Sequence, residues 1–229
     1  MAFQKTLLVI GAGPGIGRSV TGLFASKRYN NVVLIARRAE QLKLEEAALT
    51  EAVGSHVKVK SYAVDIANLD AFTKALDDAE TAFGRPECVF YNAARVLPSE
   101  LLTHDVKEIE YDFKITVSAL YAVVQREMPN LVRIAKADSS AKPAVIVTSS
   151  ALPQQPIPQL FALSLVKAAQ RNLMESLSMT YGPQGVHIGL INVGGPVSPT
   201  DTERSPSNIA AKTWEWFSDG ESFEVLIGY

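Results

Sequence analysis

Gly11-Ala-Gly-Pro-Gly-Ile-Gly17 is the first stretch of the chain built for chemistry. It follows an apolar run, Lys5–Ile10, and opens an amphipathic one, Ile16–Arg28. Glycines let a backbone turn tightly and approach a pyrophosphate closely. The helix behind them offers free N–H groups and the positive end of its dipole to the anion. The spacing is G-x-x-x-G-x-G, through Gly11, Gly15 and Gly17, because Ile16 occupies the last glycine's place in the commoner G-x-G-x-x-G. Gly13 and Ile16 complete the expected cradle. Other chemistries find little support. His56, His104 and His187 lie far apart with no paired metal-ligand spacing, so no metal site is expected. The carboxylates show no convergent pair for glycoside hydrolysis. Ser150 lacks the Gly-x-Ser-x-Gly setting of an acyl-transfer nucleophile.

The elements that must position the glycines follow from the hydrophobic pattern. Lys5–Ile10, Asn31–Ala36, Val57–Val64, Glu87–Asn92, Pro143–Ser149 and Val186–Asn192 read as strands. They are apolar without alternation, which predicts burial on both faces, as in a parallel sheet. Glu224–Tyr229 adds a last edge strand. Between them Ile16–Arg28, Ala39–Val53, Leu69–Phe83, Val106–Ala137 and Gln159–Tyr181 read as helices, the third between Asn68 and Gly84-Arg-Pro86 as cap and stop. The alternation predicts an α/β fold: a doubly wound parallel sheet of about seven strands with helices on both faces. Ala151–Pro158 and Val193–Asn208 are rich in proline and follow strands, which places them at the ligand-binding end of the sheet. Trp214 and Trp216, in Ile209–Phe217, are expected to pack over the last strand.

The chain has 229 residues, 47% hydrophobic and 20% charged, with a net charge of −2. That suits a single domain, 1–229, and excludes a disordered tail or disulfide scaffold. No basic surplus is present to bind nucleic acid, and no apolar stretch reaches the roughly 20 residues needed to span a bilayer. Cys88 is the single cysteine, and no secretory signal is legible, so a reducing, cytoplasmic location is expected.

Along nearly its whole length the chain resembles the short-chain dehydrogenase/reductase family. The glycine cradle matches that family's pattern, and Asp65-Ile66 matches the position whose acid meets the adenine ring. Tyr91-Asn-Ala-Ala94 resembles its Asn-Asn-Ala-Gly, which implies cofactor contacts from Asn92, Ala93 and Ala94. Thr148-Ser-Ser150 matches the strand end that carries the catalytic serine, Lys167 the lysine of the Tyr-x-x-x-Lys helix, and Gly194-Gly-Pro-Val197 the turn beside the nicotinamide, with Gly195 and Val197 as contacts. The resemblance implies a Rossmann-like oxidoreductase. It also implies pairing through the long helices Val106–Ala137 and Gln159–Tyr181 into a homodimer or homotetramer. In this fold an acid at the end of the second strand selects NAD; here Arg37 and Arg38 stand there, which favours the 2′-phosphate of NADP(H). Arg18 is a further candidate.

The departures from the family are as informative. Four residues before Lys167 stands Leu163 where the family has its proton-transferring tyrosine, and Thr116 falls at the position of the asparagine that supports the lysine through water. Ser150 and Lys167 remain as catalytic candidates, with Ser150, Leu152 and Leu163 lining a pocket to which Phe161, Ile157 and Val197 add apolar surface. A small apolar carbonyl, alcohol or imine is the implied substrate. Without the phenol, four accounts stand: another donor (Thr148, Ser149, Ser150, Ser164, Lys167 or a water), an iminium substrate that needs no proton, a non-redox cyclase or isomerase that binds NADP(H), or a protein kept for binding alone.

Overall fold

The computed structural model describes residues 5–220 and 222–229. Seven parallel strands form one sheet in the order β3-β2-β1-β4-β5-β6-β7. They are β1 Thr6–Ile10, β2 Asn31–Ala36, β3 Lys58–Ala63, β4 Cys88–Tyr91, β5 Ala144–Ser150, β6 His187–Val193 and β7 Glu224–Ile227. The helices are α1 Ile16–Lys27, α2 Ala39–Val53, α3 Leu69–Phe83, α4 Val106–Phe113, α5 Ala119–Ala137, α6 Phe161–Tyr181 and α7 Pro206–Asp219. The order reverses between β1 and β4, the switch point where such sheets open a crevice at their C-terminal ends.

Unbroken apolar strands bury both faces. In β1, Leu7 and Val9 join Phe24 of α1, Leu42 of α2 and Phe217 of α7, while Leu8 and Ile10 join Phe72 of α3, Leu120 of α5 and Met174 of α6. Each such side chain contributes about 1.5–3 kcal/mol on burial. β3 departs from the unbroken pattern: Lys58 and Lys60 are not buried, and they guard an edge strand against pairing with another chain. Trp214 packs edge-on against Phe24 of α1 (5.1 Å), and Trp216 packs on His187 of β6 (4.5 Å). Glu224 ties β7 into the sheet by accepting from Arg171 (2.5 Å) and Asn192 (2.6 Å).

Two helices differ from the sequence expectation for local reasons. The helix expected to begin at Gln159 begins at Phe161, because its cap comes from a distant loop: the Ser99 hydroxyl accepts from the Ala162 N–H (3.1 Å) and the Ser99 N–H donates to the Gln159 carbonyl (2.9 Å). The helix expected over Val106–Ala137 is interrupted by a π-helical turn, Lys114–Ser118. There the Ala119 N–H bonds the Lys114 carbonyl rather than that of Ile115. The buried Tyr91 hydroxyl donates to the Ile115 carbonyl, and Gln170 donates to the Thr116 carbonyl (2.8 Å). Side chains from β4 and α6 thus stabilise the break, a pattern common at functional sites.

Candidate functional site

A cleft of about 320 Å³ opens at the C-terminal ends of β1 to β4. The glycine loop forms its floor. Gly11 has φ +91°, and a Cβ there would lie 2.4 Å from the Ala93 backbone nitrogen, so only glycine lets the loop close on β4. Gly13 has nothing within 4 Å of the same point and leaves open space. Gly15, at φ +102°, begins α1 with no side-chain cap, so the first-turn N–H groups of Ile16 and Gly17 are left to face an anion. A Cβ on Gly17 would meet the Asn92 amide at 3.1 Å. That amide donates to the Gly11 carbonyl (3.0 Å) and accepts from the Thr148 hydroxyl (2.8 Å).

The walls carry the charges. Arg37 and Arg38 are exposed at the end of β2, and neither joins an ion pair among the described residues. Arg18 is committed elsewhere: its guanidinium forks onto buried Glu45 at 2.7 and 2.8 Å, which neutralises it beneath the loop. Asp65 accepts from the Ala67 N–H (3.0 Å) and the Tyr111 hydroxyl (2.6 Å). Tyr111 in turn lies under the Arg95 guanidinium, 4.9 Å from its ring, and Arg95 pairs with Glu108 (2.6 Å). Asp65 beside it pushes the Tyr111 hydroxyl above its ordinary pKa. Ile66, Ala93 and Ala94 complete the lining with Ile115 of the π turn.

Beyond the cleft, β5 and α6 present the second group. Lys167 is 7% exposed and donates to the Thr148 carbonyl (2.8 Å) and the Gln170 side-chain oxygen (2.7 Å). Burial draws its pKa down from 10.5 to about 7, with no charged neighbour contributing. Ser150 ends β5, partly exposed, and accepts from the Leu152 N–H at 3.3 Å. Leu163 is 5% exposed in the first turn of α6. Two of the alternative proton donors are engaged: the Thr148 hydroxyl on Asn92, and the Ser164 hydroxyl on the Leu160 carbonyl (2.9 Å). Ser149 is buried.

The model of the short chain dehydrogenase family matches residues 5–208. The chain belongs to that family. Among its relatives, the 3beta-hydroxysteroid dehydrogenase of Mediterraneibacter gnavus is 26% identical over 223 residues, 95% of this chain and 75% of that protein. Rat 17-beta-hydroxysteroid dehydrogenase 13 is 28% identical over 130 residues, 56% of this chain and 42% of that protein, so the match spans less than half of it. A metagenomic short-chain oxidoreductase solved in complex with NADP superposes with a TM-score of 0.82 at 23% identity, covering 98% of this chain and 96% of that one. The alcohol dehydrogenase from the archaeon Thermococcus sibiricus, complexed with 5-hydroxy-NADP, gives 0.82 at 19% identity over 97% and 95%. At these identities the solved structures establish the short-chain dehydrogenase fold.

The structure brings Gly11, Arg37, Arg38, Asp65, Ile66, Asn92, Ala93 and Ala94 into one cleft. Gly13, Gly15, Ile16 and Gly17 lie in the loop and α1 start beside it, while Ser150, Leu152, Leu163 and Lys167 belong to β5, α6 and the loop between them. Gly195 and Val197 follow β6, with the Arg204 guanidinium packed over Gly195, 2.5 Å from where its Cβ would lie. Three participants escaped the sequence reading. Arg95 lines the cleft and Tyr111 packs behind it on Asp65, from a loop and a helix whose packing no local spacing reveals. Gln170 stands three residues after Lys167 on the same helix, a spacing that puts both on one face, and that signal was available.

The glycine geometry separates fold from ligand. Gly11→Ala should lower stability by about 2 kcal/mol or more through backbone collision and strain. Gly13→Ala should stay within about 0.5 kcal/mol of wild type, both read by urea unfolding. Equal losses in the two variants would contradict the packing described.

Proposed function

We propose that the protein binds NADP(H) in preference to NAD(H) and works as an oxidoreductase on a small apolar carbonyl, alcohol or imine. The observation that carries this reading is the exposed pair Arg37–Arg38 in the lining of a cleft that lies beside an uncapped helix N-terminus. Two guanidinium groups without carboxylate partners suit a phosphate dianion, whereas a carboxylate suited to a 2′-hydroxyl is missing from the end of β2. The residues of the cleft and its surroundings fit the cofactor: the first-turn amides of α1 would hold the pyrophosphate, Asp65 and Ile66 the adenine, Asn92 to Ala94 the ribose, and Gly195 and Val197 would lie beside the ring. That two solved neighbours of the same fold carry NADP or its 5-hydroxy derivative supports the assignment.

When bound, the nicotinamide supplies or accepts hydride. The chain's own residues do the rest. Ser150 offers a hydroxyl to the substrate oxygen or nitrogen, Lys167 holds the nicotinamide ribose, and Leu152 and Leu163 give the pocket an apolar wall. Leucine at position 163 has no proton to transfer, a step worth about 10²–10⁴ in rate. With the Thr148 and Ser164 hydroxyls engaged elsewhere, Ser149, Ser150, Lys167 and a bound water are left as candidate donors. An iminium substrate, already carrying the charge that protonation would create, fits this pocket without a donor. Names such as hydroxysteroid dehydrogenase among the relatives support an apolar substrate. Large apolar side chains left exposed on α4, α5 and α6, namely Phe113, Tyr121 and Leu165, support self-association through these helices. Buried Cys88, unpaired, suits a reducing cytoplasm.

Calorimetric titration tests the cofactor assignment. NADPH should bind more tightly than NADH, and the double variant Arg37→Ala/Arg38→Ala should lose about 10–100-fold in NADPH affinity with little change for NADH. Equal binding of the two nucleotides by the wild type overturns it. NADPH oxidation should then follow addition of ketones or cyclic imines. Substrate consumption without NADPH oxidation would instead make the protein a non-redox enzyme, and binding without any turnover a binding protein.

A further inference from the structure

We propose that Gln170 is a positioning residue for Lys167, its side-chain amide taking the place of the asparagine-held water through which the family supports that lysine. The inference deepens the reading of Lys167 as a site residue and rests on it.

Gln170 is fully buried, and both ends of its amide are used: the oxygen accepts from the Lys167 ammonium at 2.7 Å and the nitrogen donates to the Thr116 carbonyl at 2.8 Å. The orientation is dictated by chemistry, since a flipped amide would set nitrogen against ammonium and oxygen against carbonyl. Thr116 lies within the π turn, so the interruption of the α4–α5 helix delivers a backbone carbonyl to the amide. The result is a continuous chain from Thr116 through Gln170 to Lys167. An ammonium has three protons; one goes to the Thr148 carbonyl and one to Gln170, which leaves one without a hydrogen-bond partner among the described residues.

The amide differs from water in two ways. It is tethered, so it fixes the nitrogen without the entropy cost of ordering a solvent molecule. It also cannot pass a proton along, because its N–H does not dissociate and its oxygen only accepts. Proton exchange at Lys167 therefore does not run through Gln170. The groups that face it are few. β5 offers the Thr148 carbonyl, the π turn offers Thr116 through Gln170, and α6 offers Gln170 itself. Arg171, next on α6, is turned to Glu224 of β7 and Glu175. Among the described residues no carboxylate pairs with Lys167. Gln170 is thus the polar side chain that holds the ammonium form against the burial that disfavours it.

The test uses the free protein, without cofactor or substrate, so it fails separately from the proposed function. Lysine labelled with ¹³C at Cε is titrated by NMR, and Lys167→Arg identifies the resonance by its loss. Gln170→Met should lower the Lys167 midpoint, because burial stays and an acceptor is gone. Gln170→Glu, which restores an oxygen with a negative charge, should raise it by about one pH unit or more. A residue with only a structural role would change stability without moving the midpoint in opposite directions. In ¹⁵N-labelled wild type the Gln170 side-chain amide should shift with the same midpoint as Lys167, which keeps the test decisive should either variant fail to fold. Folded variants that titrate like wild type, or a Gln170 amide blind to the lysine, overturn the proposal.

Discussion

The side chain of Asn92 joins three parts of the molecule that are remote in sequence. It sits just beyond β4, donates to the Gly11 carbonyl at the end of β1, and accepts from Thr148 near the end of β5. Of these strands β1 and β4 flank the switch point and β5 lies next to β4, where the crevice must stay open while its edges stay fixed. Each bond contributes about 0.5–1.5 kcal/mol net, yet losing the amide would strand partners in a part-buried place at about 1–3 kcal/mol. The glycines are the other half of this constraint. Gly11 and Gly17 lack side chains where the β4 backbone and the Asn92 amide approach, so the loop lies flat against its neighbours and α1 starts uncapped toward the cleft. That arrangement leaves first-turn amides of α1 without partners in the protein itself.

Lys167 is held by the same kind of connection between remote elements. Its two fixed acceptors come from β5 and α6, and the latter is itself anchored on the π turn. Tyr91, one residue before Asn92, anchors the adjoining carbonyl of that turn. The end of β4 therefore organises both the glycine loop and, through the π turn, the lysine.

The sheet was legible because its strands are buried on both faces, so Val, Ile and Leu run without interruption in β1, β2 and β5. The glycine cradle was legible because its conformational demand is met by one residue type. Asn68 as a cap also read directly, its side chain accepting from the Ala71 N–H. What escaped was set by partners distant in the chain. The start of α6 depends on Ser99, the π turn on Tyr91 and Gln170, and the neutralisation of Arg18 on Glu45. Periodicity sees an element's own face and not what meets it. Tyr111 is the clearest case: it sits in α4 with nothing in its spacing to mark it, yet its hydroxyl meets Asp65 of the cleft lining.

The central claim is that a dinucleotide rests on the opening turn of α1, and hydrogen–deuterium exchange with and without NADPH tests it most directly. The account predicts slowed exchange on NADPH addition in the backbone amides of residues 13–19, 37–39 and 93–95, with the distant face of α3 unchanged. Saturating NADPH that leaves the glycine loop and the start of α1 exchanging at their free rates, or that protects another surface instead, would contradict it.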